Sequence, residues 1–112
     1  MTFLQRNNNE PIQILLCVKD QNRAIVDLSE MKSAHFGLFN NRQCSNCFVS
    51  KGYPGGGIIT PSPLDGQLLI DINPEDILSL IGLFYWKATV TIKTKTMIVA
   101  DGMIKLKKGP DA

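Results

Sequence analysis

The apolar positions of this chain recur mostly at a spacing of two, the pattern of strands that turn one face to a core. Ile12, Ile14, Leu16 and Val18 alternate with Gln13, Leu15 and Cys17, which predicts a first core strand. Asp20, Gln21 and Asn22 then supply turn chemistry. Residues 24–28 form a second short extended run, and its Asp27 is placed to accept from nearby backbone N–H groups at a bend. Ala34, Phe36 and Leu38 alternate with Ser33, His35 and Gly37 as a third strand. The polar residues 40–43 lead into a less regular segment through Cys44, Cys47 and Val49. Residues 52–57, glycines around Tyr53 and Pro54, predict a loop. Ile58 and Ile59 make a short strand ended by Pro61 and Pro63, and Asp65-Gly66 signals a tight turn before Leu68, Ile70 and Ile72.

Asn73-Pro74-Glu75-Asp76 departs from that period. Asn is a strong N-cap, Pro suits the first helical position, and two acids favour the positive end of the helix dipole. A helix of one or two turns over residues 73–80 is expected, stopped by Gly82. Phe84, Trp86, Ala88, Val90 and Ile92 then share one face of a long strand, with Tyr85, Lys87, Thr89, Thr91 and Lys93 on the other. After a turn at Thr94-Lys95, residues 96–100 return, Asp101-Gly102 bends or bulges the chain, and residues 103–106 close it. About seven short strands separated by turns predict an all-β, immunoglobulin-like antiparallel sandwich with one short helical turn. The expected organisation is an extended N-terminal arm at 1–10, the sandwich at 11–108 and a polar C-terminal tail at 109–112.

Composition narrows the class. With 112 residues, 44% hydrophobic and 20% charged, the chain suits one globular domain able to hold a core without staples. No apolar run approaches the ~20 residues of a spanning helix, and the first residues carry no secretory pattern. Three cysteines are an odd number, which favours free thiols in a reducing compartment over a disulfide framework. The net charge of +2 neither requires nor excludes nucleic acid.

The order of short motifs resembles the small immunoglobulin-like domains of tailed-bacteriophage structural proteins, in particular the N-terminal domain of phage baseplate upper proteins. The motifs are the first strand at residues 11–18, Ile25-Val26-Asp27-Leu28-Ser29, the alternating strand at 34–38, and residues 63–76 with their Asp-Gly, Leu-x-Ile and Pro-Glu-Asp steps. Gly82-Leu83-Phe84 and the closing Gly102-Met103-Ile104-Lys105-Leu106 complete the series. Phe84 stands where that family usually has Tyr, and residues 42–57 have no counterpart in it. The resemblance implies a non-enzymatic virion protein, assembled in the host cytoplasm. Its implied partners are other virion proteins and copies of itself in a symmetric array, with no cofactor, small-molecule substrate or membrane.

The candidate chemistry outside that resemblance is sparse. Cys44 and Cys47 have the spacing of a metal knuckle or redox pair, but a structural zinc needs four ligands, and only Cys17 and His35 remain to complete a set. A thioredoxin-like reading lacks its βαβ context. His35 has no nucleophile or carboxylate at a telling spacing and reads as a solvent-facing strand residue. Gly55-Gly56-Gly57 lacks the Lys-Ser/Thr of a phosphate loop and reads as a hairpin tip. Lys93, Lys95, Lys105, Lys107 and Lys108 would suit nucleic acid, although no aromatics interleave with them; guarding an edge strand is the plainer role. Partner contacts are expected from Phe3 and Leu4 on the arm, from Phe48, Val49 and Tyr53 in the central loop, and from Tyr85. Phe3 and Leu4 capping their own sandwich is the competing expectation.

Overall fold

The computed structural model describes residues 2–40 and 47–109; the side chains of Thr2, Phe3 and Cys47 lie outside that description. Among the described residues, eight strands form two sheets. The larger contains β1 (Thr2–Asn7), β3 (Met31–Phe39), β4 (Cys47–Tyr53), β7 (Gly82–Ile92) and β8 (Lys95–Lys107), in the order β1-β8-β7-β3-β4. The smaller contains β2 (Ile12–Cys17), β5 (Ile58–Ile59) and β6 (Gln67–Ile72), in the order β2-β6-β5. The chain is therefore an all-β sandwich. The order β2-β6-β5 against β8-β7-β3-β4 corresponds to B-E-D against G-F-C-C′ of an immunoglobulin-like fold.

The alternation read from the sequence is the alternation that packs. Phe84, Trp86, Ala88 and Val90 of β7 turn inward beside Ala34, Phe36 and Leu38 of β3, and the Phe36 and Trp86 rings stack at 6.0 Å. Ile12 and Ile14 of β2, Ile58 of β5, and Leu68, Ile70 and Ile72 of β6 face them from the small sheet. Each such side chain, once buried, contributes roughly 1.5–3 kcal/mol of transfer free energy, so the facing layers rather than any polar contact hold the sandwich together. The helix is α1 (Pro74–Ile77), and Ile77 anchors it in the core. The Asn73 N–H donates to Asp76 Oδ2 at 3.0 Å, while the Leu80 N–H returns to Ile77 O and ends the helix in a turn. Before β6, a 3-10 turn over Pro63–Asp65 ends at Gly66, whose φ is 69°. A Cβ there would meet the carbonyls of Val18 and Val26 at 2.8 Å, so glycine is required.

Several expectations are corrected. The arm expected at 1–10 is not separate: residues 2–7 are β1, paired in parallel with β8 from Thr2↔Gly102 to Asn7↔Lys107. The sandwich is thus not wholly antiparallel. Beyond β1, Asn8 is buried; its Nδ2 donates to Leu78 O and Leu80 O, and its Oδ1 accepts from the Gly109 N–H. The two chain ends are clipped to one loop, and the polar tail expected from 109 begins at a buried residue; residues 110–112 lie outside the described residues. Residues 24–28 are not a strand. Asp20 Oδ1 accepts from the Asn22 and Ala24 N–H groups, a single Lys19↔Ile25 bridge follows, and Leu28 then plugs the core. Asp27 does accept from the Ser29 N–H at 2.9 Å. Gly52 and Tyr53, expected in a loop, are the end of β4. No break occurs at Asp101-Gly102; the extra residue is Val99, because Ala88 faces Ala100 while Thr89 faces Ile98.

Candidate interaction surface

One end of the sandwich gathers exposed apolar side chains. The start of β7 lies beside the end of β8, as Gly82↔Leu106 shows, and the start of β4 lies beside the end of β3 and Tyr85 of β7. Phe48 is fixed there by an edge-on contact with Phe84, centroids 5.5 Å apart, yet remains 53% exposed. Leu78 and Ile81, in the connection into β7, and Leu83 on its outward face are also exposed. Asn8 holds this connection in place through the Leu78 and Leu80 carbonyls. Single exposed apolar residues are ordinary; here four lie at one end of the sandwich, on backbone pinned from behind.

The residues expected to meet partners are divided by the structure. Phe48 belongs to this end. Val49 does not: it pairs across from Leu38 and is buried in the core. Tyr85 is also buried, a correction with a clear cause. It lies on the outward face, but Phe39 covers it at 6.2 Å and its hydroxyl donates to Asp101 at 2.9 Å. Phe39 in turn lies over Gly37, where a Cβ would meet its ring at 2.7 Å, and Lys87 Nζ sits 5.3 Å from its centroid. Tyr53 and Leu4 are half-buried against the core, which for Leu4 is the capping role. The side chain of Phe3 lies outside the described residues. Leu78, Ile81 and Leu83 escaped notice in the sequence. The available signal was parity: Ile81 and Leu83 are apolar at positions out of phase with Phe84 and Trp86.

The candidate chemical groups are dispersed. Cys44 and the Cys47 side chain lie outside the described residues, so the Cys-x-x-Cys pair has no geometry to report. Cys17 is exposed on the small sheet with Sγ 3.5 Å from Asp65 O, whereas His35 lies on the large sheet with Nε2 2.7 Å from Ser50 Oγ. Among the described residues no three His, Cys, Asp or Glu side chains converge on a point. The five lysines are exposed, but β8 lies between β1 and β7, so Lys105 and Lys107 do not guard a sheet edge. The hydrogen bond from Lys51, 2.7 Å from Asp76 Oδ2, holds the Asp76 carboxyl below its ordinary value against the opposing effect of burial, with lesser help from the Asn73 N–H and the Lys51 charge. Asp27 is lowered likewise by its hydrogen bonds from Ser29. No described helix is long and apolar enough to cross a membrane. No protein-family model matches this chain, and no curated protein matches it.

Proposed function

We propose that the chain is a non-enzymatic structural module of a tailed-bacteriophage particle, an immunoglobulin-like sandwich that joins or decorates tail, baseplate, neck or capsid components. The phage setting rests on the run of motifs from residue 11 to residue 106. The mode of action rests on one observation: Phe48, Leu78, Ile81 and Leu83 are exposed together at an end whose backbone is pinned by Asn8. Such a surface gains free energy only when another protein covers it. Its partners are other virion proteins and further copies of the chain, where symmetry multiplies a modest contact. The working location is the virion, after assembly in the host cytoplasm.

The test is co-purification with particles. The chain is expected in density-purified phage particles, and the double variant Phe48→Asp/Ile81→Asp, folded by its far-ultraviolet spectrum, is expected to be missing from them. Normal incorporation of that variant, or absence of the unaltered chain from particles, would overturn the proposal.

A further inference from the structure

The flank of the sandwich opposite the β4–β5 connection holds a cleft of about 340 Å³ between β1 and β2. Leu4 of β1, Ile14 and Leu16 of β2, Ala100 of β8 and Trp86 line it, with Arg6 the one charged residue among the described lining. Two observations bear on it. First, Trp86, one of its lining residues, is 1% exposed, and its indole N–H is buried with no acceptor among the described residues; such a donor normally finds one, and leaving it unpaired costs about 1–3 kcal/mol. Second, the cleft runs along a free edge. The Val18 N–H donates to Gly66 O across β2/β6, and the Asp71 N–H donates away from β2 to Gly57 O. By the alternation of an antiparallel ladder, even-numbered residues of β2 bond to β6, while Gln13, Leu15 and Cys17 present their backbone groups outward. An immunoglobulin-like sandwich with strands A-B-E-D would place its first strand on this edge; here β1 pairs with β8 instead.

We infer that this edge is a strand-acceptor site. Its occupant is an extended peptide segment of a partner protein, hydrogen-bonded to Gln13, Leu15 and Cys17. An apolar side chain enters the cleft beside Trp86, and a carboxylate lies at the Arg6 end. The free donors and acceptors select a strand; the lone cation selects its acidic end. This site is separate from the apolar end proposed above and does not depend on it.

The probe is an acetylated octapeptide of alternating Val and Thr bearing one terminal Glu, added to isotopically labelled full chain. The expected result is saturable binding in which the amides of Gln13, Leu15 and Cys17 become protected at least tenfold and the Trp86 indole proton resonance moves. The same peptide N-methylated at alternate residues should bind at least tenfold more weakly, and Arg6→Glu should weaken the unmodified peptide similarly. Leu15→Lys, which keeps the fold, is the second variant and should also weaken binding. Absence of binding at millimolar peptide, or protection confined to β4, overturns the inference. So does an indole shift with decanoate but not with peptide, which would make the cleft a small-amphiphile site. A concentration-dependent dimer protecting β2 without peptide would make a second copy the occupant and overturn it equally.

Discussion

The two flanks of the sandwich face the same difficulty, two sheets whose outermost strands expose backbone, and they meet it differently. On one flank β4 turns directly into β5: Gly52 and Gly56 exchange backbone hydrogen bonds of 2.8 and 3.0 Å, Gly52 bridges Gly57, and the Lys51 ammonium reaches Asp76 at the start of α1. On the other flank β1 and β2 are joined by a short turn yet belong to different sheets, and among the described residues no strand spans the gap. The apolar core is continuous behind both, so packing does not distinguish them. Backbone hydrogen bonding does. The connection from β4 to β5 pairs the end of its edge at Gly52, whereas committing the first strand to β8 leaves β2 with one side unpaired along its length.

Substitutions sharpen that contrast, beginning with the residue under the open flank. Trp86→Ala removes the largest fully buried side chain and should cost about 3–5 kcal/mol in denaturant unfolding. Trp86→Phe, which deletes the unpaired N–H while keeping an aromatic ring, should cost clearly less; equal losses would show that the indole nitrogen is well satisfied. Asn8→Ala removes the clip between the chain ends and the loop into β7, and should cost about 1–3 kcal/mol. Amide protection at Leu80 and Gly109 should fall with it.

On the closed flank, Lys51→Met should cost about 1 kcal/mol at neutral pH. Because the Asp76 pKa is lowered in the fold, its contribution is present above the ordinary carboxylate range and is lost as pH falls through the depressed value. The difference between wild type and Lys51→Met should therefore shrink in acid; a difference that grows there would contradict the pairing. Smallest is Leu15→Lys on the open edge, where the side chain is already 59% exposed and the change should stay within about 0.5 kcal/mol.

The contrast also marks what the sequence could disclose. The strands of the core were legible because inward positions at 12, 14, 34, 36, 38, 68, 70, 72, 84, 86, 88 and 90 keep a period of two. The short helix was legible because its cap is local chemistry. β1 was not, since its partner lies about a hundred residues away and parallel pairing leaves no turn between the strands to detect. Tyr85 misled for a related reason: parity correctly gave its outward face, but the cover comes from Phe39 on a neighbouring strand folded over Gly37. Val49 misled because the sequence around it lacks a clear period of two, and the pairing with Leu38 that buries it is a tertiary fact. At the candidate surface Phe48 was visible as an apolar residue without a core position. Its companions in the loop into β7 depend on where that loop is pinned.

Backbone amide hydrogen exchange along β2 in the free protein tests the asymmetry most directly. With one side paired to β6 and the other open, the amides of Ile14 and Leu16 should exchange at least tenfold more slowly than those of Gln13, Leu15 and Cys17. Uniform protection at all five positions would mean that the edge is already covered, and the account of an open flank would be wrong.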